Sequence, residues 1–197
     1  IAIALVRALL LTGVCLAGLS PNAKVIVHVL PHTSRTCTKN FPTGISTCED
    51  IITTEASTDC DCFPVFFNLT EYQGFDYSMT WPGTYTCAFT SCSDLTIGGI
   101  VNPGDGVSHA WYTCQTDSFA IPGWGWINEP DGGRICITAH PQAGGVIVGA
   151  CNEHGGVLDT LKTQNIGCAG IGGEQGDDAC GLAIKPTTWG QIKSIFR

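Results

Sequence analysis

The run Gly106-Val107-Ser108-His109-Ala110 sets a serine beside a histidine just after a turn. A nucleophilic serine is exposed in this way when a helix follows the turn. Here Trp111-Tyr112-Thr113-Cys114 follows instead, a strand-forming sequence, so Ser108 is read as structural. A serine–histidine–acid triad needs three side chains brought together by the fold, and nothing in the sequence singles out a set, so no catalytic residue is assigned. Cys151-Asn152-Glu153-His154 and His140 come nearest to a transition-metal cluster. A bridged Cys151, and a predicted strand between the two histidines, favour packing or surface histidines over a metal. Asp59, Asp61, Asn128, Asp131, Asp177 and Asp178 fall in predicted loops, where hard oxygens can collect calcium. None follows the spacing of a helical calcium loop, so solvated turn acids are the default and calcium is the alternative; no other cofactor is expected.

Sugar rings stack on planar aromatic faces, and Trp81, Trp111, Trp124 and Trp126, with Tyr72, Tyr77 and Tyr112, offer such faces. Trp124 and Trp126 alternate across Gly125, so a strand would set both on one face, either as a ligand platform or as core. Core is the default for large aromatics in a β domain. Asn68-Leu69-Thr70 is a glycosylation sequon, relevant only to a chain exported from a glycosylating cell.

Cysteine dominates the rest of the chemistry. Residues Ile1 to Leu19 form an apolar run broken only by Arg7 and small polar residues, and are read as a secretory signal peptide ending at Ala17 or Ala23. A retained membrane anchor is the alternative. Beyond the run lie Cys37, Cys48, Cys60, Cys62, Cys87, Cys92, Cys114, Cys136, Cys151, Cys168 and Cys180. In an exported domain this density means disulfides rather than zinc, for which there is no C-x-x-C pair. Spacing favours the local pairs Cys37 with Cys48, Cys87 with Cys92, and Cys168 with Cys180, although sequence does not fix connectivity. Eleven is odd, so one thiol stays free or joins another chain, or the leader ends earlier and Cys15 survives. Cys60 and Cys62 would share one face of a strand and are too close to bridge each other.

The elements that must hold these residues are strands. Of 197 residues 44% are hydrophobic and 13% charged, with 25 glycines and 10 prolines, which excludes a disordered chain or a coiled coil. A net charge of -8 with 9 Lys plus Arg leaves no basic stripe for nucleic acid or anionic lipid. Strands are predicted at Lys24 to Leu30, Val65 to Leu69, Phe75 to Trp81, Thr84 to Phe89, Leu95 to Val101, Val107 to Cys114, Trp124 to Asn128, Arg134 to Ala139 and Gly145 to Cys151. Pro82-Gly83 reads as a hairpin turn, and Thr33 to Thr58 as bridged loops or short edge strands. Gly167 to Gly181 is read as a stapled glycine-rich loop, since it lacks the G-x-G-x-x-G spacing of a dinucleotide site. The expectation is an all-β, antiparallel β-sandwich of eight or more short strands over residues 24–185, following a signal peptide over 1–23. Residues 186–197 form an amphipathic tail in which Thr188 and Gln191 have capping spacing, and a short helix carries Trp189, Ile192 and Phe196 on one side. Docking of this helix on its own domain is the default, and a sorting or attachment signal the alternative.

The stretch from Tyr72 through Trp81-Pro82, the block Cys92-Ser93-Asp94-Leu95-Thr96-Ile97-Gly98, the run Asn102 to Trp111, and Thr188-Trp189-Gly190-Gln191-Ile192-Lys193 carry a resemblance. Across most of the chain beyond the leader it resembles uncharacterised exported cysteine-rich β proteins predicted from metagenomes of uncultured bacteria. The resemblance implies bacterial export and transfers no catalytic assignment. Together these readings describe a secreted or cell-surface protein, a non-enzymatic structural or interaction domain with an extracellular protein or glycan as partner. The alternative is a carbohydrate- or ligand-binding module using exposed aromatics, and a secreted hydrolase ranks third.

Overall fold

The computed structural model describes residues 19–182 except 40 and 84–86, and the side chains of His154 and Leu182 are not described. The expected helix over Thr188 to Phe196 and the apolar run Ile1 to Gly18 lie outside the described residues. Within them the fold is all-β. The strands are β1 (Lys24–Pro31), β2 (Asp59–Phe67), β3 (Tyr72–Thr80), β4 (Ala88–Ser91), β5 (Leu95–Gly98), β6 (Gly106–Gln115), β7 (Phe119–Ala120), β8 (Gly123–Asn128), β9 (Gly133–Thr138), β10 (Ile147–Ala150), β11 (Leu158–Thr160) and β12 (Cys168–Ile171). Helical structure among the described residues is limited to three-residue 3-10 turns. No helix there is long and apolar enough to cross a membrane.

The strands form two antiparallel sheets. Sheet 1 has the order β1-β2-β8-β4, with β7 also on β2; sheet 2 has the order β11-β10-β3-β6-β5, with β9 beside the end of β3 and β12 beyond it. Their residues meet in one core, where Val25, Val27 and Val29 of β1 and Phe66 of β2 pack with Phe75, Tyr77 and Met79 of β3 and Ile135 and Ile137 of β9. Phe66 stacks on Phe75 with ring centroids 4.1 Å apart, joining the sheets at their centres.

The other face of sheet 1 is covered as well. Ile26, Phe63, Val65, Phe67 and Trp124 form a second cluster beneath Phe41, Ile45, Ile51 and Ala179. Successive residues of β2 alternate between the two clusters, so eight of its nine residues are buried. The long excursion after β1, expected as loops or edge strands, is therefore a cover for sheet 1. Its route is pinned by His28, whose Nδ1 accepts the Ile52 N–H at 2.8 Å, and by a capping box at Thr47 and Asp50.

Several expectations are corrected. Pro82-Gly83 does not close a hairpin: β3 belongs to sheet 2 and β4 to sheet 1, where β4 pairs β8. The glycine-rich segment contains a strand, since β12 pairs β9 from Cys168↔Cys136 to Ile171↔Gly133. The local disulfides give way to long-range ones, Cys37–Cys92, Cys48–Cys180, Cys114–Cys151 and Cys136–Cys168. Short spacing loses because the chain changes sheets at its turns, and residues near in sequence are carried apart. Cys60, Cys62 and Cys87 are free and buried.

Candidate functional site

Ser108 and His109 are neighbours in β6 and so point to opposite faces of sheet 2. Ser108 lies beside His140, whose Nδ1 accepts the N–H groups of Gln142 and Ala143 at 3.2 Å each. His109 enters the core. Its Nε2 faces the Tyr77 hydroxyl at 3.1 Å, and its Nδ1 faces Ser91 Oγ at 3.1 Å and Ser93 Oγ at 3.0 Å. Thr96 adds its hydroxyl to both serines. This serine–histidine set carries no carboxylate, and its hydroxyls are spent on one another. Burial pushes the His109 pKa down to about 4, so the ring is neutral and a weak base. The cluster ties β4 of sheet 1 to β3, β5 and β6 of sheet 2, where sequence reading had no signal because Ser91 and Ser93 are far from His109 in the chain.

A second histidine lies on the covered face of sheet 1. Asp61 is fully buried; it accepts from the Thr33 N–H at 3.1 Å, pairs with the Arg35 guanidinium, and meets His32 Nδ1 at 2.8 Å. The His32 ring stacks on Trp126 at 4.9 Å, and Trp126 Nε1 donates to Asp59 at 2.5 Å. Arg35 also sits over the Phe63 ring. These contacts fasten the start of the excursion to the sheet, and every acid in them already has a partner.

The aromatic candidates are dispersed. Trp81 and Trp124 are buried, Trp111 packs partly against the main core, and Trp126 is exposed but lies flat against His32. Of the tyrosines, Tyr72 and Tyr77 are buried, while Tyr112 is 78% exposed. The acids considered for calcium are dispersed too: Asp177 pairs with Arg134 at 2.5 Å and accepts the Cys168 N–H, and Asp178 accepts the Cys180 N–H. Among the described residues, the groupings with metal-ligand spacing are Cys48–Glu49–Cys180 and Cys114–Cys151–Glu153, whose sulfurs are disulfides and offer no thiolate.

One face remains open. On the side of sheet 2 turned away from the shared core, a row of directly paired residues crosses five strands: Leu158 of β11, Gly149 of β10, Gly74 of β3, Ala110 of β6 and Leu95 of β5. Large aliphatic side chains stand at both ends of the row and three small residues form its floor. A trough of about 520 Å³ results, with Tyr112, Trp111, Gln73 and Asn152 around it. Leu158 is 61% exposed and Leu95 48%, and Ile97, one step along β5, is 66% exposed. Gly74 is required here, because a Cβ would stand 2.8 Å from the His109 carbonyl oxygen. Gln73 fixes the rim: its Nε2 donates to the Trp111 and Tyr112 carbonyls, and its Oε1 accepts the Asn152 N–H. The Cys114–Cys151 disulfide joins the ends of β6 and β10 beside it. Sequence reading found Trp111 and missed the trough, whose floor is made of residues with no chemistry of their own.

No family model, curated protein or solved structure matches the chain.

Proposed function

We propose that the chain is an exported, non-enzymatic interaction domain, a disulfide-braced β-sandwich that binds a protein partner through the trough on sheet 2. The row Leu158-Gly149-Gly74-Ala110-Leu95 carries this reading. Contiguous exposed aliphatic surface framing a concave floor marks association surfaces. Small floor residues let a partner's backbone approach closely, and Leu95, Leu158 and Ile97 supply apolar contact that a sugar's hydroxyls would not match. A neutral glycan is the second reading, favoured only by the exposed ring of Tyr112 next to the Asn152 amide. Four disulfides support an oxidising, extracellular or cell-surface setting. The apolar run Ile1 to Leu19, read as a signal peptide, is in keeping with the same setting.

The test is site-specific photo-crosslinking in an exporting host, with the probe at Tyr112 or, as a control, at Glu49 on the other side of the domain. The reading expects one discrete protein adduct from position 112, lost on Ala110→Arg. No adduct from position 112, together with retention of the protein on a neutral polysaccharide that Tyr112→Ala abolishes, would replace it with the glycan reading.

A further inference from the structure

We infer that the trough receives the carboxyl-terminal segment Thr187 to Arg197 of a second copy of this chain, so that copies join head to tail. The inference rests on the reading of the trough as a protein-binding site and names its partner. By its spacing that segment is a short helix with Trp189, Ile192 and Phe196 on one side. A helix over Thr188 to Phe196 is about 14 Å long. The row from Leu158 to Leu95 crosses five neighbouring strands, which gives it a width of about 19 Å. The helix therefore fits along the row, with its apolar side over the floor of Gly149, Gly74 and Ala110.

Charge matches the two surfaces as well. All 17 acids of the chain precede Cys180, whereas the sequence after Leu182 carries Lys185, Lys193 and Arg197 and no acid. Asp94 stands exposed beside Leu95 at one end of the trough, its carboxylate accepting the Tyr112 N–H at 2.8 Å, and Glu153 stands exposed beside Asn152 toward β10. Among the described residues no Lys or Arg lines the trough. An acidic rim favours a basic amphipathic segment over an acidic one.

The place where the described chain ends decides whose trough is filled. Ala179 packs in the cluster on the outer face of sheet 1, and Cys180 is bridged to Cys48 of the cover there. The trough lies on the far side of both sheets. From Leu182 to Trp189 the chain reaches about 25 Å at full extension. The path from the cover, round a sheet edge and onto the middle of the row, is about 30 Å, with packed layers about 10 Å apart and half the row about 10 Å wide. The middle of its own trough is thus out of reach of Trp189, while a second copy stacked with its trough against this cover can receive it. Reciprocal exchange between two copies is out of reach too, since each tail leaves from the side away from its own trough. The contact is heterologous and repeats, closing into a ring or extending as an open series.

The test uses the full chain purified from the exporting host, carrying the photo-crosslinker at position 112 and mixed with nitrogen-15 chain that lacks the probe. Peptide mapping is expected to join the position 112 peptide to a tail peptide containing Trp189, with heavy tail peptides present in proportion to their share of the mixture. Sedimentation should show concentration-dependent multimers, lost on Ala110→Arg in the floor and equally on Trp189→Ser with Phe196→Ser in the occupant. Only light tail peptides in the product would put the tail in its own trough, and an exported chain that ends before Trp189 would remove the occupant; either overturns the inference. So does a foreign protein, with no tail peptide, joined to position 112 in the host, a result that leaves the trough standing as a protein site. No adduct from position 112 in either setting would overturn both readings.

Discussion

The His109 imidazole and the Tyr77 hydroxyl meet 3.1 Å apart inside the core, and the far side of the same ring holds the last residue of β4. A neutral ring is what this arrangement needs. One nitrogen must accept, since the Tyr77 hydroxyl and the serine hydroxyls must each find a partner.

Acid should therefore loosen the fold before its carboxylates titrate. His109 is held down at about 4 by burial, and His28 at about 4 by burial and then by the Arg35 charge, from an ordinary 6.5. As pH falls through 6.5 the unfolded chain takes up protons that the folded chain refuses. Stability is thus full above 6.5 and declines down to about 4, by about 2 kcal/mol per histidine at pH 5. Urea unfolding at pH 7.5 and pH 5 measures this, and His109→Gln should flatten the dependence; an unchanged slope would assign it to other groups.

Asp61→Ala should be among the costliest single changes on sheet 1. It removes the carboxylate that compensates the buried Arg35 charge and accepts the Thr33 N–H, worth about 3–5 kcal/mol. Thermal unfolding reads the loss. Asp59→Ala, which only frees the Trp126 ring nitrogen, should cost about 1 kcal/mol or less.

The trough separates binding from stability. Leu95→Ser and Leu158→Ser, both on exposed side chains, should shift unfolding by about 0.5 kcal/mol or less while abolishing the adduct cross-linked from position 112. Gly74→Ala should behave oppositely at first sight, since its methyl meets the His109 carbonyl and destabilises by about 1–3 kcal/mol. Circular dichroism melts on purified variants distinguish the two classes.

The signal peptide proposed for the first residues should, if cleaved, end before Ser20. Ser20 is buried, its N–H donates to Asp159 at 2.8 Å, and its hydroxyl accepts the Thr70 N–H at 3.2 Å. Ala23 is buried too, and its carbonyl accepts from Asn165. Cleavage after Ala17 keeps these contacts, whereas cleavage after Ala23 removes them. Amino-terminal sequencing of exported protein should read Gly18-Leu19-Ser20; a start at Lys24 would show that the domain tolerates their loss.

Strand content was legible where apolar and polar residues alternate, and the predicted β6, β8 and β9 match the observed spans to within a residue or two. β2 was hidden at its start, because Cys60 to Phe63 is buried on both faces and Pro64 interrupts the pattern, so alternation gave no signal. β12 was hidden by glycines, which suit its close packing and read locally as loop. Pairing was not legible at all: turns such as Pro82-Gly83 specify a change of direction, not which sheet receives the next strand. The same limit hid the trough, which exists only once Leu158 and Leu95 are placed at opposite ends of one row.

The long-range disulfides also constrain how the molecule is made. Cys87 and Cys92 are five residues apart and would collide far more often in an unfolded chain than Cys48 and Cys180, separated by 132. Early oxidation thus favours bonds the finished domain does not contain, and the slow step of maturation should be the exchange of sulfur partners. Yield from an exporting cell would then track its isomerase activity rather than the supply of oxidant.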